Sequence, residues 1–431
     1  MLKVRRILAV SALLMLSCVF AKAQTEGTYS GFSPYSVYGV GNLHTPGTAW
    51  NRGMGGVGIA ARNHRFINIM NPASVTARDT LSFMADFGLN GRISLFSEGD
   101  KRALNTTFNI DDFTISFPMW NHTAFMVGIN PLSDVGYKIA YSELSEDNLT
   151  TGRQSFSSIG NGGVYQVFAA AGGTFWNRLS VGAQVNYSFG NINKKAAMSY
   201  EDEAARSWTT GDSLQVNNVT AKIGLQYEQP VGRGSSFILG ATYKFSTAFT
   251  GYHIHYEQMG VYRNSKTDNL STSGLRMGDE LGIGISYKKG DNLLVEFDYT
   301  RADWSRSGFD SAAGFSNNGL VGFSSSVGQS FRLGAEITPN RNDIRYFLKR
   351  CTYRAGAYYD SSYYTVDGAH VDAVGITLGM TLPVFRWYNG LSIGLDFGRR
   401  GLQTSQVKET YFGFNVGMNI FDIWFKKPHY E

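Results

Sequence analysis

The last segment of the chain alternates strictly. Phe412, Phe414, Val416, Met418 and Ile420 occupy every second position, with Tyr411, Gly413, Asn415, Gly417 and Asn419 between them. Successive strand residues point to opposite faces, so the segment predicts a strand with one apolar face and one small or polar face. The rhythm recurs in Leu179-Val181-Ala183-Val185-Tyr187-Phe189 and in Leu391-Ile393-Leu395-Phe397, with small or polar residues between. About fourteen such segments are marked by this template and its turn punctuation, starting near Phe83, Phe113, Phe125, Val167, Leu179, Ala221, Phe237, Leu281, Leu293, Phe331, Tyr353, Val374, Leu391 and Phe412.

The connections alternate in length. Short ones are Trp120-Asn121-His122, Trp176-Asn177-Arg178, Val231-Gly232-Arg233-Gly234, Lys288-Lys289-Gly290-Asp291 and Trp387-Tyr388-Asn389-Gly390, whereas long polar ones span about 140–163, 190–217, 248–276 and 302–328. Lipid outside, water inside, short periplasmic turns and long external loops account for this pattern. The predicted fold is all-β, a transmembrane antiparallel barrel of about fourteen strands over residues 81–431, its even count returning both termini to the periplasm.

Composition agrees with a membrane barrel. Fifty Gly, 24 Tyr and 29 Phe with 17% charged residues suit turns, small lumen positions and interfacial aromatics better than a disordered chain or a helical membrane protein. The start reads Met1-Leu2-Lys3-Val4-Arg5-Arg6, then an apolar run from Ile7 to Phe20, then Ala21-Lys22-Ala23. A secretory signal over 1–23 with cleavage before Gln24 is expected. A single spanning helix and a lipobox at Cys18 are the weaker alternatives. Loss of Lys3, Arg5, Arg6 and Lys22 takes the 39 basic residues to 35 against 34 acidic ones, so a nucleic-acid partner has no electrostatic basis. Cys351 is then the single cysteine and no internal disulfide forms.

Residues 24–80 are Gly-, Pro- and Asn-rich and lack sustained alternation. A barrel of about fourteen strands is too wide for its own side chains to fill, and glycines such as Gly182, Gly224, Gly240, Gly334, Gly356, Gly375 and Gly413 fall on lumen positions. The expectation is an N-terminal plug, held partly by Arg52 and Arg62; a periplasmic tail is the alternative, disfavoured by Ile59, Phe66, Ile67, Ile69 and Met70. Charges expected in the lumen are Asp86, Arg92, Lys222, Glu296, Asp298, Arg332, Glu336, Arg354 and Asp396. Both signs are present, which suits pairing better than a selectivity ring for one ion.

Asn71-Pro72-Ala73, closing the stretch Arg52-Gly53-Met54-Gly55-Gly56-Val57-Gly58 just before the first strand, resembles the FadL/TodX-type outer-membrane channels. The opening Ser33-Pro34-Tyr35-Ser36-Val37-Tyr38-Gly39-Val40-Gly41 and the ending Trp424-Phe425-Lys426-Lys427 look like those of Bacteroidota outer-membrane proteins of this superfamily. The resemblance implies fourteen strands, a hatch containing Arg52, Gly53, Gly55, Gly56, Asn71, Pro72 and Ala73, and a cell outer-membrane location in a Gram-negative bacterium. It further implies passive uptake of hydrophobic molecules with lateral exit through a kinked third strand, here Phe125–Ser133. Pro131 cannot donate to a ladder, so Gly128, Asn130, Pro131 and Ser133 are the gate candidates; a harmless bulge near the rim is the other reading of Pro131.

The function expected first is a hydrophobic-compound channel, with lipid outside and a ligand or detergent inside; the alternative is a non-transporting subunit or docking platform with protein partners in a secretion or assembly complex. No G-x-S-x-G elbow, Walker loop or H-E-x-x-H helix occurs, so an enzyme is not expected, nor a cofactor. His253, His255 and Glu257 share one face of an extended hairpin; the reading adopted is a polar face, without a metal.

Overall fold

The computed structural model describes residues 31–423 apart from 46, 79–81, 145–152, 201–206, 233, 313–314, 316–321, 385–389 and 403–406. The expected leader at 1–23, the ending Trp424–Lys427 and most of the turn Trp387–Gly390 therefore lie outside the described residues. The strands in chain order are β1 (Asn42–Leu43), β2 (Ser82–Glu98), β3 (Lys101–Trp120), β4 (Thr123–Leu144), β5 (Arg153–Phe175), β6 (Leu179–Tyr200), β7 (Trp208–Pro230), β8 (Ser235–Lys244) and β9 (Thr250–Met259). They continue as β10 (Tyr262–Asn269), β11 (Asp279–Lys289), β12 (Leu293–Asp303), β13 (Phe323–Ser325), β14 (Val327–Ile337), β15 (Thr352–Val366), β16 (Ala369–Pro383), β17 (Gly390–Arg400) and β18 (Lys408–Ile423).

β1 lies inside the N-terminal segment. β8 and β9 pair with successive parts of β7, β13 and β14 with successive parts of β15, and β10 extends β11 opposite β9. Each of these couples is one interrupted wall strand, so the wall is a closed antiparallel barrel of 14 strands. β18 closes it against β2 from Lys408↔Ser97 to Ile423↔Ser82.

The wall inverts the burial of a soluble protein. On β6, Val185 is 55% exposed while Asn186 beside it is 2% exposed. Val219, Ile223, Leu239, Ile283, Leu333 and Ile376 are likewise exposed on the outer face, and Ser180, Ser188, Thr220 and Thr242 are buried on the inner one. This is the arrangement of a β-wall solvated by lipid.

Beyond the membrane band the structure corrects the expected loops. β4 and β5 run into 140–163, β6 and β7 fill most of 190–217, and β9 with β10 forms a hairpin within 248–276. The alternation cue fails there because both faces are polar, as in Asn191, Asn193 and Lys195 outside and Lys194 inside, although the backbone ladder continues from Asn193↔Ser213 to Met198↔Trp208. β3 also begins at Lys101, well before Phe113. Its outer half was hidden by an irregularity: Gly88 pairs with Asp112 and Leu89 with Ile110, so Asp111 is extra and shifts the parity of everything before it. On the short-turn rim, residues 338–351 make an unexpected excursion with a short helix, Phe347–Arg350, on which Leu348 is exposed.

Three apolar clusters lie inside the wall. The largest, at the long-loop end, joins Tyr35, Val135, Leu214, Phe249, Phe309, Phe315, Tyr363 and Val371. The other two sit toward the short-turn end, one around Ile67, Ile69, Val75, Met84 and Phe168, the other around Trp50, Met54, Val57 and Phe66.

Val416 lies at mid-height on the lipid face of β18. Val416→Arg is expected to cost about 2–4 kcal/mol, and Thr410→Arg at the outer rim about 0–1 kcal/mol, read from urea unfolding in lipid vesicles. Gly417→Arg fails for a different reason, because a Cβ at that position runs into Ala49.

Candidate functional site

The N-terminal segment is mostly irregular, yet its polar groups meet the wall on opposite sides of the lumen. Gly58 and Ile59 donate their N–H groups to Asp298 Oδ2 at 2.7 and 3.0 Å, and Ala60 donates to Glu296 Oε1 at 2.7 Å. On the neighbouring strands β14 and β16, Arg332 Nη1 donates to Gly55 O at 2.9 Å and Thr377 Oγ1 accepts from Gly55 N–H at 2.7 Å. A buried backbone donor without a partner costs about as much as a lost hydrogen bond, so these side chains determine where an irregular chain can rest.

Asn71 caps the short helix Pro72–Ala77, accepting from Ala73 N–H at 3.0 Å, while its Nδ2 donates to Ile59 O at 2.7 Å and Leu225 O at 3.1 Å. Pro72 packs so closely on Gly182 that a Cβ there would overlap its backbone. Arg62 donates to Ser180 at 2.8 Å and to Gln226 at 3.1 Å. Gly53 meets the backbone of Gly379, and Gly55 and Gly56 take positive φ values of 73° and 76°, a left-handed turn that suits glycine. Arg52 pairs with Asp111.

The lumen charges pair locally. Arg354 Nε donates to Glu336 Oε2 at 2.7 Å, and Trp50 Nε1 donates to the same oxygen at 2.6 Å. Arg332 bridges Asp360 at 2.7 Å. Asp396 accepts from Tyr358 at 2.8 Å, with Arg92 3.9 Å away and stacked on Tyr411. Lys222 lies 3.8 Å from Glu280. Asp86 is bonded by Asn419 at 3.3 Å. Asp111, Asp112, Asp134, Asp360 and Glu409 are buried or lumen-facing charges that strand parity did not reveal; the first two sit in the irregular part of β3.

The third wall strand, β4, has an asymmetric ladder. Toward β5 it stays paired through Asn130↔Gln166 and Pro131↔Tyr165, then slips one residue to Ser133↔Val164, leaving Leu132 as the bulge. Toward β3 its pairing ends at Ile129↔Phe113, so Gly128, opposite Thr114, lies within the closed part, and Asn130, Pro131 and Ser133 lie beyond it. There β4 takes β1 as its neighbour instead, through Asn42↔Asp134 and Leu43↔Ser133. His44 N–H donates to Leu132 O at 2.9 Å, and its imidazole pairs with Asp134.

The strip Asn42–Thr45 divides the interior. A cavity of about 170 Å³ on one side reaches Thr107 and Asn109 of β3; one of about 200 Å³ lies toward Tyr363 and Ala302; and one of about 70 Å³ reaches Pro131 and Leu132. Arg332, Asp360, Lys222 and Glu280 line these spaces together with apolar groups.

On the external hairpin, His253 Nε2 and His255 Nδ1 both reach Asp212 Oδ1, at 2.9 and 2.8 Å, and Glu257 lies 3.6 Å from His255. Among the described residues no group of three or more His, Cys, Asp or Glu is placed to hold a metal.

A family model described as BamG matches residues 2–431. No curated protein matches the chain in sequence. Among solved structures, the toluene transporter TbuX of Ralstonia pickettii superposes with a TM-score of 0.57 at 16% identity, covering 88% of this chain and 98% of its own. The Pseudomonas putida toluene transporter TodX gives 0.54 at 15%, covering 88% and 98%. A Pseudomonas aeruginosa FadL homologue gives 0.54 at 11%, covering 89% and 99%. At these identities the likeness is one of fold.

Removing one partner of the buried Arg354–Glu336 pair strands the other. Arg354→Met is expected to cost roughly 3–5 kcal/mol, and the double variant Arg354→Met/Glu336→Leu to recover most of it, measured as unfolding midpoints. The hydrogen bond to Asp212 raises the His255 imidazole above its ordinary value. The stabilisation is therefore complete below about pH 6.5 and is lost as pH rises through the folded value. Hydrogen-exchange protection of residues 250–259 should fall over that interval, and Asp212→Asn should flatten the response.

Proposed function

This chain belongs to the BamG family, and with its FadL-like barrel as the premise we propose that it works in the outer membrane of a Gram-negative bacterium as a non-conducting subunit or docking platform of an assembly or secretion complex. The observation that carries the reading is the occupied lumen. The N-terminal segment is tied to β12, β14 and β16 by Glu296, Asp298, Arg332 and Thr377 and to β3 on the far side by Arg52 with Asp111, and apolar clusters lie at both ends. Charges already paired in the lumen offer no ring for a permeating ion. A barrel filled in this way works through its outer surface, and its hairpins above the membrane give partners a rigid one.

In this reading residues 24–80 are the plug, with Arg52, Gly53, Gly55, Gly56, Asn71, Pro72 and Ala73 at its contacts with the wall. Limited proteolysis of the folded, detergent-purified protein is expected to spare residues 50–70. Planar bilayers should show no conductance steps, and mild-detergent isolation from membranes should return a partner in stoichiometric amount. Steady conductance with no partner recovered overturns the proposal.

The second reading is passive transport of a hydrophobic compound, TbuX and TodX being toluene transporters. It is favoured by the end of the β3–β4 ladder at Phe113↔Ile129, beside a cavity reaching Thr107 and Asn109. Lateral exit would then pass Asn130, Pro131 and Ser133. Pro131→Val should slow uptake of toluene into cells or vesicles if this reading holds, and leave uptake unchanged if the platform reading does.

A further inference from the structure

On the lumen face of β18, β2 and β3, two carboxylates lie together without a counter-charge of their own. Asp86 stands opposite Thr114 on β3 and Asn419 on β18. Asp112 stands opposite Gly88, and its Oδ1 lies over that glycine, in the space a Cβ would take. All four of these polar side chains are at most 4% exposed.

The guanidinium groups close by are committed elsewhere. Arg52 is paired with Asp111, which also accepts from Asn90 at 3.0 Å, and Arg354 is paired with Glu336. Those pairs cancel and leave the charges of Asp86 and Asp112 uncompensated. Asn419 Nδ2 donates one bond to Asp86 Oδ2. Asp86 Oδ1, both oxygens of Asp112, Thr114 Oγ1 and Asn419 Oδ1 have no hydrogen-bond partner among the described residues. The carboxylate and amide oxygens can only accept and the Thr114 hydroxyl can donate once, so with both carboxyl groups ionised at least three of these oxygens stay without a partner.

We propose that Asp86 and Asp112, completed by the side-chain oxygens of Thr114 and Asn419, bind a hard divalent cation of the calcium class. The donor set is all oxygen, which disfavours the softer transition metals, and two carboxylates balance a double positive charge. Calcium tolerates irregular geometry with amide and hydroxyl ligands, whereas magnesium demands a near-ideal octahedron. With two carboxylates instead of the three or more of tight sites, the affinity is modest. Asn90 and Asn415, further up the same strands, line the cavity of about 170 Å³ and give the ion a route in. Bound there, it would stiffen the wall beneath the helix Ala49–Arg52, which contacts Gly417 and Asp111.

The test uses the full chain in detergent, treated with chelator and then titrated with calcium chloride or magnesium chloride. Equilibrium dialysis is expected to find a single calcium per chain and weaker uptake of magnesium, with a calcium-dependent rise in the thermal midpoint. Asp112→Asn, and separately Asp86→Asn, should abolish both effects. Without calcium, Asp112→Asn should be no less stable than the parent because it removes one of two facing charges, which separates loss of the site from loss of the fold. A parent chain that binds no calcium, or variants that bind as much as the parent, overturns the proposal. A parent midpoint that responds to acid but not to calcium overturns it in favour of a proton shared by the two carboxyl groups.

Discussion

Residues 55–60 have no regular secondary structure, and they lie where no solvent can be relied on to satisfy an irregular backbone. Such a path inside a membrane protein survives only if its amide groups find fixed partners. Asp298 and Glu296, two residues apart on one strand and therefore on one face, supply them by taking the N–H groups of Gly58, Ile59 and Ala60. Nearby on the wall, Thr377 takes the N–H of Gly55 and Arg332 donates to its carbonyl. Two features of the interior go with this constraint: glycines open the wall where the segment approaches, and Arg354 with Glu336 and Arg332 with Asp360 pair locally.

The same constraint sets what the lumen can do. A carboxylate committed to two backbone donors, or an arginine held by a carboxylate and a carbonyl, cannot exchange partners readily with a passing solute. The spaces left over are small and bounded by the strip Asn42–Thr45, which joins the edge of β4 where β3 leaves it. Wall and filling therefore share one hydrogen-bonding system, and the irregular point in the wall is where the filling takes over as a strand partner.

Strand existence and facing were legible because lipid and lumen impose opposite demands on alternate residues; Phe412 to Ile420 announces both in a single glance. The lumen positions of Glu296, Asp298, Arg332 and Glu336 followed from parity alone. Their partners did not, since Arg332 finds Asp360 on the neighbouring strand and Glu336 finds Trp50, 286 residues earlier in the chain. Parity failed at Asp111, where one extra residue reverses inside and outside. It was silent above the membrane, where Asn191 and Lys194 are both polar although only one points inward. The helix Phe347–Arg350 carries no cue in the sequence, because four residues with no buried face are too few to show a helical period.

The seam of the barrel has a further consequence. Glu409 on the last wall strand accepts from Ser33, 376 residues away, and from Ser94 on the first wall strand, 315 residues away. Phe32 and Ser33 thus touch both lips of the closing ladder, Phe32 through Phe96 and Ser33 through Glu409. The Ser33–Glu409 and Ser94–Glu409 bonds exist together only while the first and last wall strands lie side by side, so a parting of the seam would also release the N-terminal segment's hold on it.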